Sequence, residues 1–152
     1  MKMTLDKIQL LICGAFILSL SSAAAAQRNE PQRPVFNPMS AEELKSKLER
    51  REPLTIIDVR SSSSYAGSDN RIRGAIHVKL RRLEYRLRFP PLKDAPRDRE
   101  VVTYCACPGD EASNRAAQIL SEAGFKRVRV LKGGWQAWLA VRGQVEPRPR
   151  GM

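Results

Sequence analysis

Two cysteines one residue apart, Cys105 and Cys107, are the side chains of this 152-residue sequence best suited to nucleophilic or redox chemistry. A pair this close cannot join distant segments, so it is not the framework of a disulfide-stapled fold. Nor does it complete a structural zinc site, because the chain has one histidine, His77, and no second cysteine pair. No metal and no cofactor is expected. The pair is either reactive or incidental. His77 falls late in a short strand-like run with no acid beside it in sequence, which favours a surface or packing role over that of a general base.

The elements around Cys105 give its position chemical meaning. Val101-Val102-Thr103-Tyr104 is β-branched and apolar, a buried strand, and Cys105 follows it directly. From Glu111 the pattern turns helical, with Ala112, Ala116, Ile119, Leu120 and Ala123 on one stripe and Gly124 where a left-handed C-cap belongs. The unit is thus strand, cysteine, loop, helix. Ligands of open parallel sheets bind beyond the carboxyl ends of the strands, where Cys105 falls. The helix directs its free amides and positive end at the loop, which stabilises a thiolate and could cradle an oxyanion or a persulfide. By spacing alone, a catalytic thiol and a buried structural cysteine both remain open.

The remaining chain supplies the scaffold. Residues 41–50 form the first helix, opened by a Ser40…Glu43 capping box and stopped by Pro53. Leu54 to Val59 suits a buried parallel strand, Ser61 to Asn70 a loop or short helical turn, and Gly74 to Val78 a short strand. Leu80, Leu83 and Leu87 share a helical face surrounded by Arg81, Arg82, Arg86 and Arg88, and Pro90-Pro91 ends that helix. A last strand covers Val128 to Leu131, Gly133-Gly134 make a tight turn, and Trp135 to Val141 a closing helix. Alternating short strands and helices predict an α/β fold with a mostly parallel sheet covered on both faces.

At the amino end, Lys2 and Lys7 precede an apolar run from about Leu10 to Leu20 and the alanines 23–26, the pattern of a signal peptide. The run is too short to span a bilayer. Cleavage is expected between Ala26 and Gln27, which places the protein in the periplasm or outside the cell. Cys13 does not make a lipobox, because bulky Ile12 precedes it within the apolar run. Residues 27–38, with three prolines, are an extended lead-in, residues 39–145 the domain, and residues 146–152 a disordered tail. Without the leader the chain holds 25 basic and 15 acidic residues, a net charge of +10. Such a charge suits an acidic protein partner or an anionic membrane surface. Export makes nucleic acid an unlooked-for partner. The arginines of 81–88 fit a solvated helix face first, and a docking surface second.

Five segments occur in the order found in the rhodanese-like domain family: I-I-D-V-R at 56–60, R-G-A-I-H-V at 73–78, V-V-T-Y-C at 101–105, G-F-K-R-V-R-V-L-K-G-G at 124–134 and W-Q-A-W at 135–138. The chain resembles this family over about residues 35–142, and Cys-Ala-Cys-Pro resembles a branch with a C-x-C-P active-site loop. The resemblance implies a five-stranded, mostly parallel sheet with helices on both faces, and a sulfurtransferase. Its cysteine takes sulfane sulfur from a donor, holds it as a persulfide and passes it to a nucleophile. By position that cysteine is Cys105. Asp58 and Arg60 are then expected to make structural hydrogen bonds at the base of the loop.

The loop itself, Cys105-Ala106-Cys107-Pro108-Gly109-Asp110-Glu111, carries no basic residue and ends in two acids. A like-charge contact at about 4 Å costs roughly 1 kcal/mol in water and about 4 at an effective dielectric of 20. Thiosulfate is therefore expected to be a poor donor unless Arg115 or another cation compensates, and a small thiol persulfide or a persulfidated protein a better one. Asp110 and Glu111 fit the first turn of a helix, where acids complement the dipole. The C-x5-R pattern of rhodanese-related phosphatases fails, since Glu111 stands six residues after Cys105. Cys107 is either a resolving thiol, which would attack a Cys105 persulfide and release sulfide, or a packing residue. Two alternatives stand beside the sulfurtransferase: a catalytically idle binding module, and a thiol–disulfide or soft-metal handling protein using both cysteines.

Overall fold

The β-branched runs of the sequence become the middle of one parallel sheet in the computed structural model, which describes residues 36–149. The expected leader, its cleavage site and the lead-in up to residue 35 lie outside the described residues. Strands β1 (Pro38–Met39), β2 (Leu54–Asp58), β4 (Ile76–His77), β5 (Glu100–Tyr104) and β6 (Arg127–Leu131) line up in the order β1-β6-β5-β2-β4, every neighbouring pair parallel. Helices α1 (Ala41–Glu49), α2 (Ser62–Ala66), α3 (Leu83–Arg86), α4 (Glu111–Glu122) and α5 (Gly134–Ala140) connect them. The order makes β5 the central strand, and all five of its residues are buried.

The two-residue period of the strands sorts the core into two layers. Ile56, Val102 and Tyr104 face one side, where Leu44 of α1 and Trp135 and Trp138 of α5 cover them. Ile57, Val101 and Cys105 face the other, beneath Ala116, Ile119 and Leu120 of α4 and Leu83 of α3. Register therefore decides that the Cys105 side chain belongs to the α4 face. A one-residue slip of β5 would turn it away.

Several local expectations are revised. Ser40 caps α1 through the Glu43 amide at 3.1 Å, but the Glu43 side chain does not reach back. It pairs instead with both terminal nitrogens of Arg129 on β6, because a bidentate charged contact outweighs one to a neutral amide. The arginine-rich segment is not one helix: a 3-10 turn, Leu80–Arg82, leads into the single α-helical turn of α3. The tail is not disordered from residue 146. Strand β7 (Val145–Pro147) pairs antiparallel with β3 (Asn70–Ile72), a strand that starts at the last residue of the segment read as a loop or short helical turn, and Arg148 donates to the Ser68 carbonyl at 2.9 Å. Arg71 and Glu146 add an ion pair across this ribbon.

Candidate active site

Strand β5 delivers Cys105 to the carboxyl edge of the sheet, and the loop from Cys105 to Asp110 is held at its two ends by contacts to residues 133–135. The Cys105 carbonyl accepts a hydrogen bond from the Trp135 amide at 2.8 Å. This contact requires glycine at 134. There φ is +48°, and a β-carbon would stand well inside contact distance of the Cys105 oxygen and 3.1 Å from its carbon. The Gly133 amide donates to Asp110 Oδ2 at 2.9 Å. The glycine pair thus holds both ends of the loop.

Asp110 adopts the left-handed conformation (φ 56°, ψ 22°), which aspartate tolerates better than most residues. Its carboxylate makes no capping bond to α4, being turned towards Gly133. The first-turn amides of α4 are left without that side-chain cap, at the end of the helix that meets the cysteine loop. The Asp110 carbonyl accepts from the Asn114 amide and side chain, both at 2.9 Å. The Glu111 carboxylate folds against Gly109, filling the space a side chain there would need. Arg115 lies on the exposed face of α4, bonded to Gln118 at 2.8 Å, and does not compensate the loop's acids.

Cys105 and Cys107 are joined by a disulfide, with Cα atoms 5.7 Å apart. Cys105 is 1% exposed, whereas Cys107, Ala106 and Asp110 are half-buried and Pro108, Gly109 and Glu111 exposed. In this oxidised form Cys107 is the more exposed of the two cysteines.

Beneath the loop lies a buried ion pair. Arg60 donates to Asp58 through its backbone amide and Nε, each at 3.0 Å, and through Nη2 at 2.7 Å; both side chains are fully buried. The guanidinium lies 4.3 Å from the Trp135 ring centroid and 5.6 Å from that of Tyr104, and Nη2 also reaches the Asn70 carbonyl at 3.1 Å. The Tyr104 hydroxyl donates to Asp58 Oδ2 at 2.6 Å and accepts the Ile72 amide at 3.3 Å. Asp58 therefore ties together β2, β3 and the residue before Cys105. Burial pushes its carboxyl upward, but His77, Arg60 and Tyr104 outweigh that and hold it below the ordinary carboxylate value. Burial and the Asp58 charge push the Tyr104 hydroxyl far above its ordinary value, so it stays a donor.

His77 is closer to this cluster than its sequence neighbours suggest. Strands β4 and β2 set it opposite Asp58, with Nδ1 3.7 Å from Oδ1, and its ring stacks on Tyr65 at 3.7 Å and 5°. Residue spacing carries no signal for that contact, because it depends on which strands are neighbours.

Five parallel strands with helices on both faces, and a cysteine at the carboxyl end of the central strand beside a helix amino terminus, define a cysteine-centred α/β domain whose ligand edge is that carboxyl edge. Residues 40–141 match the family model "Rhodanese-like domain", and the chain belongs to that family. Among its relatives is the thiosulfate sulfurtransferase GlpE of Coxiella burnetii, 33% identical over 94 residues, which are 61% of this chain and 78% of that protein. A sulfurtransferase of Allochromatium vinosum is 28% identical over 104 residues, 68% of this chain and 89% of the relative. In three dimensions the chain resembles the Alr3790 protein of Anabaena sp. with a TM-score of 0.61 and 37% identity, over 72% of this chain and 91% of that one. The relatives place it among rhodanese-like sulfurtransferases.

Proposed function

We propose that this protein is an exported sulfurtransferase that carries sulfane sulfur as a persulfide on Cys105. The observation that carries the proposal is the setting of Cys105, which directly follows the central strand, lies in the core layer that α4 covers, and opens the loop into the amino end of α4, where no side chain caps the helix. In the reduced protein the Cys105 thiolate attacks the outer sulfur of a thiol persulfide, and the donor thiolate leaves. An acceptor thiolate then attacks the outer sulfur of the Cys105 persulfide and regenerates the Cys105 thiolate. No net oxidation occurs, and no cofactor is needed. The first-turn amides of α4 and its dipole stabilise the anionic persulfide by about 0.3–1 kcal/mol or more where water is excluded.

Thiosulfate is the donor in the name of the Coxiella relative. Here the loop holds Asp110 and Glu111 and no cation, and Arg115 is bonded elsewhere, so a singly charged thiol persulfide is the preferred donor. Sulfur transfer to a thiol acceptor, measured with reduced protein and each donor in turn, is expected to give a kcat/KM for a small thiol persulfide at least tenfold above that for thiosulfate. Equal or better use of thiosulfate would remove the electrostatic argument. Loss of all transfer in Cys105→Ser is required under either donor.

The disulfide favours a second role for Cys107. Its thiolate attacks the inner sulfur of the Cys105 persulfide, hydrosulfide leaves, and the disulfide remains until an external dithiol reduces it. Export is proposed from residues 1–26 and is tested by sequencing the amino terminus of the protein made in its own host, which should begin at Gln27.

A further inference from the structure

Segment 79–89 carries Lys79, Arg81, Arg82, Arg86 and Arg88 against one acid, Glu84. Among the described residues, none of these five cations takes part in an ion pair, whereas Lys47, Arg50, Arg60, Arg71, Arg127 and Arg129 all do. The same segment exposes two aromatic rings, Tyr85 (57% exposed) and Phe89 (40%), with centroids 4.9 Å apart. Unpaired arginines around exposed aromatic rings have the composition of a protein-binding surface rather than of an inert solvated helix.

The inner side of the segment fixes where this surface lies. Leu83 is buried in the same core layer as Cys105, and Leu80, Leu87 and Cys107 pack against that layer. The 3-10 turn and α3 both rest on α4, the helix that follows the cysteine loop. The cationic surface therefore flanks the loop. A partner reaching Cys105 meets a loop that has no cation and ends in two acids, so attraction to an acidic partner must come from beside the loop.

We propose that Lys79 to Phe89 is the docking surface for an acidic protein segment that carries the donor or acceptor thiol. The role in sulfur transfer rests on the reading of Cys105 given above; the docking does not. Acidic side chains of the partner pair with Arg81, Arg82 and Arg88, and its apolar groups cover Tyr85 and Phe89. A lipid surface would satisfy the charge but brings no thiol to Cys105.

The test uses the reduced full-length mature chain and a fluorescein-labelled polyglutamate peptide ending in one cysteine, with a polyglutamine-cysteine peptide beside it. Binding is read by anisotropy. Transfer from the sulfur-loaded protein is read with the same peptides and with 2-mercaptoethanol. Arg82→Glu/Arg88→Glu and Tyr85→Ala/Phe89→Ala change exposed residues of the surface. Arg99→Glu/Lys126→Glu makes the same charge change at the opposite end of β5 and β6. Salt-sensitive binding of the glutamate peptide is expected, about tenfold weaker in each surface variant and within twofold of the parent in the control. Transfer to that peptide should fall in parallel, with transfer to 2-mercaptoethanol unchanged. Equal losses in control and surface variants would overturn the proposal, as would binding to phosphatidylglycerol vesicles without binding to the peptide. If the protein takes up no sulfur, the sulfurtransferase reading fails while anisotropy still decides the docking surface.

Discussion

Substituting Gly134 by alanine perturbs the cysteine loop from outside it, and its cost can be worked from two contributions. At φ +48° an L-residue costs about 1–2 kcal/mol relative to glycine. The added methyl group also displaces the Cys105 carbonyl, which it would otherwise overlap, and so breaks the 2.8 Å bond from the Trp135 amide. Leaving such a buried group unpaired costs about 1–3 kcal/mol. The sum is about 2–5 kcal/mol. Gly124 is the matched control: its φ is +90°, but nothing lies within 4 Å of the added carbon, so Gly124→Ala should cost only the conformational part, about 1–2 kcal/mol. Urea unfolding of the reduced proteins measures both. Sulfur loading separates them further, because a shift of about 1 Å at the reacting group can lower a rate roughly a hundredfold. Gly134→Ala should load far more slowly than the parent, and Gly124→Ala at the parent rate. Equal destabilisation by the two substitutions, or parent-like loading in Gly134→Ala, would refute this account of how Cys105 is held.

Asp58→Asn leaves the fully buried Arg60 without its counter-charge and should destabilise the domain by about 3–5 kcal/mol in denaturant titrations. Because the folded-state value of Asp58 lies below its unfolded value of about 3.9, its stabilisation is present above that pH and lost as pH falls through the folded value. Acid unfolding of the parent should therefore steepen below about pH 4, and that of Asp58→Asn should be shallower there. Tyr104→Phe removes the donor to Asp58 and the acceptor of the Ile72 amide, for a loss of about 2–3 kcal/mol by thermal or urea unfolding. Asp110→Ala frees the Gly133 amide and should cost about 1–2 kcal/mol, with faster hydrogen exchange at Gly133 as the local signature.

The strands and the main helices were legible because their signals are local. Leu54 to Ile57 and Val101 to Tyr104 are continuous β-branched or apolar runs, and the stripe through Ala116, Ile119 and Leu120 has a helical period. Gly124 ends α4 with φ +90° and a Phe125 amide bond to the Leu120 carbonyl, as a glycine after an apolar stripe predicts. What escaped the sequence depends on partners far along the chain. Strands β3 and β7 are three residues each, mix polar with apolar side chains, and β7 ends on Pro147; they exist only because residues about seventy-five apart meet. Glu43 fits a capping box by spacing, yet Arg129 attracts it from the neighbouring strand. In the site, the position of Cys105 at a strand end was readable from its neighbours. The reach of Asp110 to Gly133, and the approach of His77 to Asp58, required the sheet order.

The most direct test of the central claim is to locate the sulfur. Reduced mature protein is incubated with a small thiol persulfide, alkylated, digested and analysed by mass spectrometry, together with Cys107→Ser. One added sulfur on Cys105 in both proteins, with a disulfide forming afterwards only where Cys107 is present, is the predicted result. Sulfur confined to Cys107, or none on either cysteine, would contradict the assignment of Cys105 as the carrier.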